Sequence, residues 1–129
     1  MAMLALMTMT PAAALPSAPP PDAVEQEIVV IASKLKDWRA SLVESRGDLR
    51  CYTRRSTGDA AIDRIGCTAM IRCHKQFEAD FARLKDHRLP SNARNKMRKA
   101  LLRDRFSPCV FEARDTMVAE LADRRAAAR

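Results

Sequence analysis

Between Asp22 and Ser45 six apolar residues, Val24, Ile28, Ile31, Leu35, Trp38 and Leu42, recur at alternating spacings of four and three. At 3.6 residues per turn this spacing returns every one of them to the same face, so the stretch predicts one long helix whose stripe other elements must cover. Val29 and Val30 lie off the stripe, which leaves the helix apolar on a second side and in need of another neighbour or a partner chain. The same stripe could seat a second copy in a coiled coil, but three heptads without an e/g charge pattern make little of that. Asp22 with Glu25 three residues on has the spacing of a capping box at the helix start.

The rest of the chain supplies helices of the right kind. Gly47, inside Arg46-Gly47-Asp48, suits the left-handed residue that ends a helix, and this explains the tripeptide without an adhesive role. Residues 48–58 then read as a loop. A second helix is predicted from about Asp59 to Asp86, with Ile62, Ile65, Ala69, Cys73, Phe77 and Leu84 on one face. After Pro90, Ser91 or Asn92 can cap a third helix of about fourteen residues with a thin stripe of Ala93, Met97 and Leu101. Phe106-Ser107-Pro108 predicts a fourth: Ser107 as cap, Pro108 in the first turn, and Phe106 stapled onto Phe111. Val110, Met117 and Leu121 form its core face, and the chain is expected to fray from Ala122. Three glycines in 129 residues, and few runs rich in Val, Ile and Thr, argue against sheet. The expected fold is all-α: a small up-and-down bundle of about four helices, stapled by two disulfides.

The first 21 residues are of another kind. They carry no charge; an apolar run from Met1 to Met9 precedes the small residues Ala12-Ala13-Ala14, and four prolines lie between Pro16 and Pro21. The run is shorter than the roughly 20 residues a membrane span needs. It resembles the apolar and cleavage regions of a secretory signal, with a cut expected before Leu15 or at Ala18, although no Lys or Arg precedes it. The expected division is therefore a leader and Pro-rich linker over 1–21 and a helical domain over 22–129. A disordered tail on a cytoplasmic protein is the alternative.

Four cysteines in a short chain behind such a leader predict two disulfides. Of three pairings, helix geometry removes one: Cys67 and Cys73 lie about 240° apart around one helix and about 9 Å along it, beyond bridging distance. Heights in an up-and-down bundle put Cys73 level with Cys109 and leave Cys51, in the preceding loop, to reach Cys67. Competing chemistry lacks its signatures. Cys73-His74 matches the end of a haem-attachment signal, but position 70 is Met70; no Cys-x-x-Cys pair supports zinc; no phosphate loop or catalytic motif occurs. Carboxylates alternate with Arg and Lys as on solvated helix surfaces. No catalytic residue, metal or cofactor is expected.

The charge is what points outward. The net charge is +7, all of it beyond residue 21. It concentrates in two places: Arg50, Arg54 and Arg55 near Cys51, and Arg94, Lys96, Arg98, Lys99, Arg103 and Arg105 on the third helix. Such surfaces favour anions. They suggest an exported, periplasmic or secreted binding or adaptor protein whose basic face meets an anionic envelope component or an acidic protein. A cytoplasmic nucleic-acid binder is the alternative, weakened by six aromatics that mostly fall on core stripes and by the absence of a helix-turn-helix spacing.

Overall fold

The structure, a computed structural model, describes residues 11–13, 18 and 20–129. The apolar run Met1–Met9 and residues 14–17 and 19, with the cut expected before Leu15, lie outside the described residues. The first helix, α1, spans Pro21–Asp37 and begins with proline at its first position, where a missing N–H costs nothing; Asp22 makes no capping bond. Its end is set by arginines that take up the last carbonyls. Arg39 donates to the Lys36 and Trp38 oxygens at 2.7 and 2.8 Å, and Arg114 donates to the Leu35 oxygen at 3.3 Å. Trp38 is already extended, with ψ at 135°.

A β-hairpin succeeds α1, and it overturns the all-α class. Strand β1, Arg39–Ser45, pairs antiparallel with β2, Asp48–Arg55, and Ser45 faces Asp48 across a two-residue turn. Strand makes up 13% of the structure against 68% helix. Arg46 and Gly47 both take positive φ, at 52° and 81°, the signature of a type I′ turn whose twist suits a hairpin. Gly47 is thus left-handed for a hairpin, not for a helix C-cap, and residues 48–55 are strand instead of loop. Trp38 and Leu42 fit a period of two as well as the helical stripe, and Ala40 between them fits the period of two. The tertiary contacts choose the strand: Leu42 pairs with Cys51 on the half-buried inner face.

Helix α2, Ala60–Gln76, is started by Asp59, whose carboxylate accepts from the Ala61 and Ile62 amides. The long second helix expected from the sequence breaks at Phe77, and a short α3 occupies Glu78–Arg83. Helix α4, Ser91–Leu101, starts without a side-chain cap from Ser91 or Asn92. Nor does a new helix begin at Ser107. A π-helical turn, Leu102–Phe106, joins α4 directly to α5, Ser107–Ala127, so one helical run replaces two bundle members. Pro108 explains the turn: a ring that would crowd the carbonyl four residues back is accommodated where the helix widens, and the Ser107 N–H bonds to the Leu102 oxygen five residues back. The wider turn also keeps Leu101 and Phe106, five apart and both buried, on the same core. Phe111 is exposed and makes no staple, while Ala122 and Ala126 are buried, so the last turns are packed.

The core has two lobes. Ile31, Leu35 and Trp38 pack with Ile62, Ile65, Val118, Leu121 and Ala122; Ala69, Cys73, Phe77, Leu84, Leu101, Phe106 and Val110 form the second. Met70 and Met117 touch both. The stripe, which could also have seated a second chain, is spent on the first lobe from Ile31 to Trp38, with Val24 and Ile28 packed against it. The apolar residues α1 leaves outside are Val29 and Val30. Gly66, on α2, lets the indole of Trp38 lie against the helix: a Cβ there would stand 2.5 Å from the ring.

Disulfides join Cys51 to Cys67 and Cys73 to Cys109, with Cα separations of 5.7 and 5.9 Å. These are the pairs drawn from helix heights, but Cys51 reaches Cys67 from mid-strand on β2, not from a loop above a bundle. The first bridge staples the hairpin to α2; the second staples α2 to the start of α5. Two disulfides place the protein in an oxidising, non-cytoplasmic compartment. No helix among the described residues is long and apolar enough to cross a membrane.

Candidate functional site

The arginines and lysines singled out by charge divide into three groups. Arg50 and Arg54 share the outer face of β2, and Arg55 ends the strand on the opposite side. Each outer-face cation has a neighbour: Arg50 lies 3.8 Å from Asp48, and Arg54 donates to the Ser41 hydroxyl at 3.1 Å and sits 5.7 Å from the centre of the Tyr52 ring.

Arg94, Arg103 and Arg105 are tied into the helical run and its supports. Arg94 is half-buried, donates to Ser91 at 3.3 Å, and keeps a buried Nε without a partner. Arg103 is bonded to its neighbour Asp104 at 2.7 Å. Arg105 reaches across to Asp80 at 3.2 Å, with its guanidinium 4.8 Å from the centre of the Phe77 ring, and so anchors the π turn to α3.

Lys96, Arg98 and Lys99 remain, all exposed on α4. This helix contains no Asp or Glu, and among the described residues none of its cations takes part in a salt bridge. Arg98 bonds only to the amide of Asn95, at 2.9 Å. The basic face is therefore narrower than the sequence suggested: three side chains within one turn of α4, with no carboxylate on that helix to offset them.

Beside it lies a feature the sequence did not disclose. A groove of about 290 Å³ opens between the inner face of the hairpin and the helices, walled by Leu42, Leu49, Met70, Phe81, Leu102 and Phe106. Its residues come from five elements, so no local pattern in the chain announces it. Two titratable side chains reach it, His74 and Glu44. His74 stacks on Phe81 with ring centres 4.3 Å apart, and Phe81 meets Phe106 edge-on at 5.5 Å. Glu44 accepts from Lys85 at 2.8 Å, a bond that ties the hairpin to the residues just beyond α3. That bond, above all, holds the Glu44 carboxyl below its ordinary range, so the pair contributes no net charge near neutrality.

The remaining polar clusters are structural. Ser56 and Thr57 bond to Asp63, and Arg125 bonds to Asp59 at 2.7 Å. Burial alone would raise both carboxyls, but these bonds outweigh it and each ends below its ordinary value. Among the described residues no group of three or more His, Cys, Asp or Glu side chains is arranged to hold a metal ion.

Fold and surface together define a small, doubly disulfide-bonded helical domain with a docked hairpin, an unneutralised basic helix and an apolar groove. No protein-family model, curated protein or solved structure matches the chain.

Proposed function

We propose that this is an exported binding or adaptor protein, periplasmic or secreted, that engages an anionic envelope component or an acidic protein through Lys96, Arg98 and Lys99. The observation that carries the reading is α4 itself: an exposed helix with no carboxylate and no salt bridge among the described residues, in a protein whose other basic clusters are largely partnered. The two disulfides and the leader-like residues 1–21 support the compartment, and they count against a cytoplasmic nucleic-acid role.

The test is charge reversal confined to the exposed cations. Lys96→Glu, Arg98→Glu and Lys99→Glu combined should abolish retention of the protein on envelope material from its native host at physiological salt, while leaving the thermal melt in place. Equal retention of the triple variant would refute the proposal. Arg94 and Arg105 are poor choices for such a test, because one is half-buried and the other holds the π turn against α3.

A further inference from the structure

We infer that the groove beside α4 binds a single-chain anionic amphiphile, with its hydrocarbon tail between the hairpin and the helices and its head against Arg98 and Lys99. The assignment rests on the basic-face proposal and makes the anion more specific. Three observations carry it: the composition of the groove, its charge and its size.

The lining is almost wholly apolar, and one wall stands partly open: Leu102 is 37% exposed, in a π turn whose other outward residues, Arg103, Asp104 and Arg105, are charged. An exposed leucine on the rim of a concave apolar surface is what a tail-binding site presents to solvent. The two polar groups within do not favour a polar ligand. Glu44 is occupied by Lys85, and His74 lies flat on Phe81.

Two cations, unpaired among the described residues, neighbour the open wall of the groove. Leu102 lies four residues after Arg98 and three after Lys99, and its N–H faces both of their carbonyls. Those side chains are therefore its neighbours one turn back along the helix. Across the groove Lys85 is already neutralised by Glu44, so the free cations lie on the Leu102 side. A carboxylate or phosphate head at that rim meets Arg98 and Lys99, whereas a cationic head meets repulsion. The groove, of about 290 Å³, has room for a hydrocarbon tail of several methylenes.

The probe is laurate, titrated calorimetrically below its micelle concentration into the full chain with both disulfides formed, beside octanoate and dodecyltrimethylammonium. Laurate should bind at least ten times more tightly than the cationic surfactant. Octanoate should bind about a hundredfold more weakly, since each methylene withdrawn weakens binding by up to about fourfold. Leu102→Gln, at a partly exposed position, should weaken laurate at least tenfold without shifting the melt. The methyl resonance of Met70 should move on titration of the wild type. Equal affinity for the two twelve-carbon surfactants, indifference to chain length, or unchanged binding by Leu102→Gln would overturn the assignment. If laurate fails to bind while charge reversal on α4 still abolishes envelope retention, the amphiphile is wrong and the basic face stands. If both fail, the two fall together.

Discussion

Replacing Gly66 with alanine adds one methyl group, and its consequence can be worked from Trp38. The new Cβ would stand 2.5, 2.6 and 2.6 Å from Cη2, Cζ2 and Cζ3 of the indole. Carbon atoms in contact prefer about 3.5–4.0 Å, so the ring must retreat by roughly 1 Å. It has nowhere easy to go, because Trp38 is 6% exposed and shares its lobe with Ile31, Leu35, Ile62 and Ile65. Three contacts on the far edge of a rigid bicycle cannot all be cleared by turning one bond. Overpacking of this kind costs about 1–3 kcal/mol, and the upper end suits a clash with a ring. Against it stands the gain of about 1 kcal/mol when alanine replaces glycine within a helix. The expected net loss is about 2 kcal/mol, or roughly 9 °C in Tm for a body of this size. Trp38 is the single tryptophan, so its fluorescence reports the transition directly. Trp38→Phe supplies the decisive background, since phenylalanine lacks the edge that clashes. There Gly66→Ala should be neutral or stabilising, and the difference between backgrounds is the coupling energy. A Gly66→Ala protein that is more stable than wild type with Trp38 in place would refute the reasoning.

The disulfides close separations of 16 and 36 residues. Paired Cys→Ser replacement of Cys51 with Cys67, and of Cys73 with Cys109, should cost about 3 and about 4 kcal/mol in turn, read from denaturant midpoints. Asp59 and Asp63 titrate lower in the folded than in the unfolded chain. Their stabilisation is complete above about pH 4 and lost as pH falls through the lowered folded values, so the urea midpoint should drop with acid and drop less in Asp63→Asn. Arg129→Ala strands the carboxylate of Glu27, whose side chain is 4% exposed. A loss of about 2–3 kcal/mol is expected, and Glu27→Met in the same chain should recover most of it in thermal melts.

How much of this was legible depended on whether a signal was local. The stripe from Val24 to Leu35 is helix because nothing competes with its period. Asp59 announces α2 because the bonds that start a helix lie within three residues of its cap. Trp38 and Leu42 satisfy two periods at once, and only the bridge from Cys51 to α2 and the Arg39 caps on α1 decide between them. Arg46-Gly47 misleads for a related reason: a left-handed glycine serves a helix end and a hairpin turn equally, and arginine is not among the residues that mark the latter. Phe106-Ser107-Pro108 spells a helix start, yet a π turn absorbs the same proline. At the site, charge picked out Lys96, Arg98 and Lys99 along with six arginines that are partnered, half-buried or on the hairpin. Pairing depends on what the fold places opposite, as Asp80 opposite Arg105. The groove was invisible for the same reason.

One wall of that groove is on loan. Leu42 and Leu49 belong to a two-stranded hairpin, a unit marginal by itself in water, and a single sulfur–sulfur bond from Cys51 secures it to α2. Without that bond the hairpin keeps its packing and the Glu44–Lys85 tie alone, so reduction of Cys51–Cys67 should loosen the wall opposite Leu102 before it loosens the helices. The shape of the groove is thereby coupled to the redox state of one cysteine pair.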